Sequence, residues 1–329
     1  MDTETRIVRA VEQHGPLTGA ELLAALPPAG AAAPRRRPAY AFDCWRATMR
    51  SSRVAVERVG TRFLRLDRRV EGFARLSPSI LREFLTYSVV GLAGDAAARE
   101  RRAAEVLAHT RAVSRAKMDL AAGVVAGIAG RVTADAGAAG GTAPGAVAGA
   151  AGPVAPFCVF IAGDVVYGMA HDVARPERST GRMVRGSDLD LVVVVDDAAP
   201  EALLQRLDDA VYRQKYRHLI NPSAREEIDY VVKRFARLRE QAAFDGFKEM
   251  IACKILQEGV FLHGDRRLFD AAKALLREYG VTEKLAAMEA DAARSRREAE
   301  LQLLDRAESG LGDDEMQLFY PAEESEEFE

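Results

Sequence analysis

Apolar residues recur at helical spacing near the start of the chain. In TETRIVRAVEQHG, Ile7, Val8 and Val11 fall on one face and Gly15 marks the end. PLTGAELLAAL restarts the pattern, with Thr18 as the expected N-cap. After the loop PPAGAAAPRRRP, AFDCWRATMRSSR sets Phe42, Trp45 and Met49 on one side of a third helix and Arg46, Arg50 and Arg53 on the other. The period then shortens to two. RVAVERVGTRFLRLDR reads as two strands around a turn at Gly60, where positive φ costs little. SPSILREFLTY predicts a helix capped by Ser77, with Pro78 in its first position and Ile80/Phe84 and Leu81/Leu85 paired one turn apart. A long helix is expected from Asp95 to about residue 131.

Residues 136–163 contain no charge, yet only their end, PFCVFIAG, is strongly apolar. A membrane-spanning helix needs about 20 continuously apolar residues. Pro144, Pro153, Pro156 and many glycines instead predict an Ala/Gly-rich linker running into a strand. FCVFIAGDVVYG reads as that strand and a glycine-bounded turn from Gly163 to Gly168. GSDLDLVVVVDD gives a β-branched strand, PEALLQRLDDAVYRQKYRHL a helix behind Pro200, and EEIDYVVKRF a second strand carrying Asp229. From Phe244 onward the chain reads as helical, through FDGFKEMIACKILQEGVFLHGD, RRLFDAAKALLREYG and one charged amphipathic segment, VTEKLAAMEADAARSRREAELQLLDRAE. Residues 313–329 are strongly acidic, and AEESEEFE is expected to be disordered.

Asp188 and Asp190 raise a chemical question. Side chains two apart on a strand point to one face, so both carboxylates project together at the start of a hydrophobic strand. Two like charges so close repel unless a cation lies between them. A divalent metal is the obvious candidate.

Composition adds boundaries rather than chemistry. At 329 residues the chain has room for two or three domains. Its net charge is only −3, but residues 1–70 hold thirteen arginines and no lysine against seven acids. Cys44, Cys158 and Cys253 are scattered without CxxC or Cys/His spacing, which disfavours disulfides and structural zinc and fits a reducing cytoplasm. The first residues lack the apolar core of a signal peptide. Neither GxxxxGK[ST] nor GxGxxG occurs, which disfavours a P-loop or a dinucleotide fold.

The succession of a strand, a Gly turn, GSDLDL with four valines, a helix and the IDYVV strand resembles the nucleotidyltransferases of the DNA polymerase β type, over residues 157–233. The three helices followed by a basic strand pair resemble a winged helix-turn-helix domain, over about the first 70 residues. These resemblances imply an α/β (α+β) chain with a small mixed sheet as its catalytic core. The expected divisions are a winged helix at residues 1–70, a helical connector at 71–135, the linker at 136–155, the core at 156–240, a helical domain at 241–310 and an acidic tail at 311–329.

The resemblance further implies Mg²⁺ or Mn²⁺ held by Asp188, Asp190 and Asp229, with a nucleoside triphosphate as substrate. Gly163, Asp164, Gly186 and Ser187 stand at the nucleotide-binding positions. An NMP would pass to a hydroxyl on an RNA end, a protein, a nucleotide or a small molecule, and pyrophosphate would leave. DNA or RNA is the expected partner of the basic N-terminal domain, and no membrane is.

One position departs from the family: Asp164 stands where a serine usually donates to phosphate. Arg175, Arg178, Arg182 and Arg185 in the following insertion are candidate replacements, each with an ordinary surface role as the plainer reading. His171 reads as a surface residue, and Lys248 and Lys254 as solvated lysines within reach of a phosphate. Asp164 also keeps an alternative open: a DNA-binding regulator whose transferase-like domain senses a nucleotide without turning it over.

Overall fold

The computed structural model describes residues 2–26, 37–139, 155–177, 180–305 and 312–321. The loop at 27–36, the linker at 140–154, Arg178 and residues 322–329 lie outside them. The chain is mixed α/β and divides into two compact units, one of residues 1–111 with 288–329 and the other of residues 112–287. Among the described residues no helix is long and apolar enough to cross a membrane.

The first unit opens with α1 (Thr3–His14), β1 (Leu17–Thr18), α2 (Gly19–Ala25) and α3 (Arg37–Arg50). Caps set the starts. Thr5 N–H donates to Asp2 at 2.7 Å, and Thr18 and Glu21 form a reciprocal capping box at the head of α2. There follow β2 (Val54–Arg58), β3 (Phe63–Leu66), β4 (Ala74–Ser77), α4 (Ile80–Thr86), β5 (Ser88–Leu92) and α5 (Ala96–Ala139). Ile7, Val8 and Val11 of α1 pack with Leu22, Phe42 and Trp45, as the helical spacing requires, while Met49 is only half-buried.

Several sequence expectations need correction. β2 and β3 are strands, but they do not pair around Gly60: β2 pairs with β5 and β3 with β4, both antiparallel. Local alternation identifies a strand but not its partner, and here β5 offers the fully buried Val89 and Val90 to the centre of a sheet ordered β1-β5-β2. The cap of α4 is Ser79, whose hydroxyl accepts from Arg82 N–H, while Ser77 ends β4 and Pro78 precedes the helix. The long helix α5 runs to Ala139, into the segment expected to be linker, because alanine carries the helix past the last charged turn. The acidic end begins with α11 (Asp313–Phe319), whose Phe319 is fully buried with ring centroids 5.2 Å from Phe42 and 5.5 Å from Trp45. Charge density there masks one aromatic anchor, and burying such a ring contributes about 2–3 kcal/mol.

The second unit is built on β6 (Phe157–Ala162), β7 (Ala174–Pro176), β8 (Met183–Arg185), β9 (Leu189–Val195), α6 (Glu201–Ile220), β10 (Ile228–Arg234), α7 (Phe235–Gln241), α8 (Phe247–Glu258), β11 (Val260–Gly264), α9 (Arg266–Glu278) and the start of α10 (Val281–Asp305). The sheet order is β10-β9-β6-β11. β9 and β10 are parallel, joined by the α6 crossover, and the other pairs are antiparallel. Leu189, Leu191, Val193 and Val195 face Val124, Val125 and Ile128 of α5 and Leu203, Leu207 and Val211 of α6. α8 and α9 pack on β6, with Phe160 and Phe269 at 5.6 Å. Coverage on both faces explains why β9 is an unbroken valine run rather than an alternating one.

The all-helical expectation after Phe244 fails at VFLHG, which is the edge strand β11. Its Phe261 lies opposite Phe160 of β6 and 5.7 Å from Phe269, so aromatic packing and an open sheet edge decide the segment. The insertion after the Gly turn folds into the small antiparallel ribbon β7–β8.

Candidate metal centre

The parallel register places Asp229 opposite Asp190, and the antiparallel one places Ala162 on Asp190's other side. Asp190 therefore sits mid-sheet, flanked by a second acid and by the residue before Gly163. Asp188 precedes β9 on the same face. One carboxylate oxygen from each of Asp188, Asp190 and Asp229 lies within 4.8 Å of the others. Exposure grades across the group: the side chain of Asp229 is 50% accessible and that of Asp188 35%.

Glycine is required at two points. Gly163 has φ +81°, and a Cβ there would stand 2.3 Å from Asp190 Oδ2. Gly186 has φ +60°, and a Cβ would stand 1.8 Å from the His171 carbonyl oxygen, against backbone that cannot move aside. Ser187, next to it, is buried: its N–H donates to His171 O at 3.0 Å and its hydroxyl accepts from His171 N–H at 3.1 Å. His171 is thus buried and bound to the strand entrance, not on the surface as the sequence reading had it. No neighbouring histidine marked it in the sequence.

Asp164 begins a 3₁₀ turn to Tyr167 and accepts a short hydrogen bond from the Ser187 hydroxyl. The Gly163 N–H donates to Glu258 at 3.0 Å, and the Tyr167 hydroxyl to the same carboxylate at 2.9 Å. Lys254 lies 2.6 Å from Glu258, so it is ion-paired rather than solvated. Glu258 ends α8 and was invisible to sequence reasoning, since nothing in KILQEG distinguishes it from a surface acid.

Two cations approach the triad. Arg175 of β7, read from the sequence as a surface residue by default, is buried. Its Nε donates to Gly186 O at 2.9 Å, and its guanidinium lies 2.9 Å from Glu227, an ion pair without hydrogen-bond alignment, and 3.7 Å from Asp188. Lys215 of α6 donates to Asp229 at 2.8 Å. Arg182 and Arg185 are exposed.

The electrostatics follow from this crowding. Withdrawal from water, then the charges of Asp188, Asp164, Asp229 and Glu258, hold the Asp190 carboxyl well above its ordinary range. Burial pushes Glu227 up to about 7; Arg175 works against that rise, while Asp188, Asp229 and Glu177 add to it. For Lys215 burial disfavours the cation, but the hydrogen bond to Asp229 and its charge outweigh it and raise the pKa. Acids outnumber cations here, and all the donors are hard carboxylate oxygens. That set suits Mg²⁺ or Mn²⁺, which take oxygen ligands, and lacks the thiolates or imidazoles of a zinc or copper site. Compared with protein-family models, with curated proteins and with solved structures, the chain matches none.

Proposed function

We propose that the second unit is a metal-dependent nucleotidyltransferase that moves an NMP from a nucleoside triphosphate to a hydroxyl and releases pyrophosphate. The observation that carries this reading is the register. Asp190 and Asp229 meet across adjacent parallel strands, with Asp188 on the same face, and only Gly163 allows the turn to come so close. Asp188, Asp190 and Asp229 would hold divalent metal. When bound, it supplies charge neutralisation for the phosphates and acidifies the attacking hydroxyl. Arg175 fixes Asp188 and the Gly186 carbonyl, and Lys215 holds Asp229 at the solvent-facing side. The acceptor oxygen attacks the α-phosphorus, its proton passes to Asp229, and the bond to the β-phosphate oxygen breaks with its electron pair on pyrophosphate.

The first unit supports a winged-helix reading on topology. Its support is three helices and a sheet ordered β1-β5-β2, with β3, β4 and α4 inserted between the last two strands in sequence. DNA or RNA remains its proposed partner, and Mg²⁺ and the triphosphate those of the second unit.

A second reading, a regulator that senses a nucleotide without turnover, is favoured by Asp164 and Glu258. They occupy the Ser187 hydroxyl and the Gly163 N–H, two donors a phosphate could use. Incubating the full chain with each labelled NTP, Mg²⁺ or Mn²⁺, and RNA or lysate separates the two. Label transfer supports the transferase; metal-dependent NTP binding without transfer under every condition supports the sensor.

A further inference from the structure

The outer face of α6 combines two kinds of side chain that soluble surfaces rarely align. Tyr212 and Tyr216 are 58% and 55% exposed, one turn apart. Arg213 and Arg217 stand beside them, both exposed and, among the described residues, without an ion pair. The stripe continues beyond the helix. Asn221 N–H donates to Arg217 O at 3.2 Å, Arg225 N–H to Asn221 O at 2.9 Å, and Arg185 N–H to Arg225 O at 2.8 Å. Arg225 and Arg185 are likewise exposed and make no ion pair among the described residues. Beneath them the buried Lys117 ties the two segments together, donating to Arg185 O at 2.9 Å and to Glu226 at 2.5 Å. The arrangement is therefore held in place from below, not left to chance by floppy loops. It also borders the acid triad, because Lys215, between Arg213 and Arg217 on the same helix, donates to Asp229.

We infer that this face binds a single-stranded polynucleotide whose terminal hydroxyl is the acceptor, an inference that rests on the transferase reading for the second half of that statement only. Exposed aromatic rings stack on bases irrespective of sequence, and flanking guanidinium groups neutralise phosphates; together they form the pattern of single-strand binding. A protein partner would bury the tyrosines but has no use for four unpaired arginines. A duplex would present phosphates but no open base faces. The acids of the triad repel a polyanion, so the strand would track the basic stripe and bring only its end to Asp229.

The test uses the full chain in EDTA, with fluorescently labelled oligo(U) and oligo(A) of about 15 nucleotides and a blunt duplex of equal length. Wild-type protein should bind both single strands more tightly than the duplex. Tyr212→Ala with Tyr216→Ala should weaken single-strand binding by at least tenfold, in keeping with the loss of two stacking platforms. Arg213→Gln with Arg217→Gln should lower the salt slope by about 1.4, two phosphates at about 0.7 each. All four side chains are exposed, and the variants should keep the wild-type thermal midpoint. Unchanged single-strand affinity in both variants, or equal loss for the duplex, overturns the inference and returns the basic N-terminal unit as the site of contact. Asp188→Asn separates the two claims: it should bind the strand normally and lose transfer. Transfer of label to a protein or small molecule with no strand binding would overturn this inference and leave the transferase intact. Strand binding on α6 with no transfer by the wild type would support the surface and overturn the transferase.

Discussion

The two units treat clustered acids in opposite ways. In the first, Glu83 on α4 meets three arginines, at 3.1 Å from Arg58, 2.8 Å from Arg62 and 3.0 Å from Arg296. Asp67 is flanked by Arg69 at 3.4 Å and Arg75 at 3.2 Å. In the second, Asp188, Asp190, Asp229, Asp164, Glu227 and Glu258 share Arg175, Lys215 and Lys254. An acid answered by several guanidinium groups is held in one geometry at little electrostatic risk. Burial, with the neighbouring acids adding to it, raises the pKa of Asp190 and Glu227, a cost that folding alone gives no reason to bear. Over-compensation marks a scaffold, and under-compensation is what the proposed divalent metal would relieve.

The contrast breaks most directly at the triad. Asp188→Asn or Asp190→Asn should lower transfer by at least about a thousandfold, roughly 4 kcal/mol of barrier, while each protein stays folded. Metal-free Asp190→Asn should melt no lower than wild type, because the substitution removes repulsion. Mg²⁺ or Mn²⁺ should raise the wild-type midpoint and leave that of Asp190→Asn unmoved. Thermal scans with and without metal check both, and near wild-type turnover in either variant would sink the metal assignment.

Glu83→Gln should do the reverse. It removes the carboxylate that Arg58, Arg62 and Arg296 share and leaves Glu300, 2.9 Å from Arg58 and from Arg296, as their remaining acid, Arg296 being buried and the other two nearly a third exposed. Removing one partner of a buried network should cost about 3 kcal/mol, somewhat reduced by solvent at the two outer arginines. Urea denaturation measures it, and an unchanged midpoint would mean that the network is not a scaffold.

Lys233 sharpens the comparison as a buried cation with only a neutral partner, Gln241, at 2.9 Å. Burial, with Arg237 adding to it, pushes its pKa from 10.5 down to about 8. Between those values the unfolded chain binds the proton and the folded one does not, so stability rises as pH increases from about 8 to 10.5. The full gain is about 3 kcal/mol. Lys233→Met should flatten that rise in denaturation curves taken across the range. A slope surviving the substitution would assign it elsewhere.

The smallest effect concerns the arginine face of α3. Arg46 stacks over Phe42 at 5.6 Å and belongs in part to the core, which leaves Arg50 and Arg53 exposed. If they contact duplex phosphates, replacing both by alanine should reduce the salt slope by about 1.8, close to tenfold in affinity between 50 and 200 mM salt. Anisotropy with a labelled duplex checks this, and a wild type without duplex affinity at low salt would make the first unit a protein-binding module.

Much of the fold was legible because its signals are local. Ile7, Val8 and Val11 mark a helical face, Thr18 an N-cap, and the valines of β9 a strand. The triad was legible in kind, since period two puts Asp188 and Asp190 on one face of any strand. Partnership was not legible. Alternation in residues 54–66 could not say that β2 joins β5 rather than β3, nor could the aromatic VFLHG declare itself an edge strand while flanked by helices. Pairing is a contest among distant segments for burial and backbone hydrogen bonds, settled only when all are present. Likewise Asp229 reaches Asp190 through a parallel register that a twenty-residue crossover helix sets, and Glu258 reaches Gly163 from 95 positions away. Residue type and spacing determined which groups could do chemistry. Only the tertiary structure decided which of them share a space, because carboxylate repulsion and its relief act across distances that the chain closes by folding.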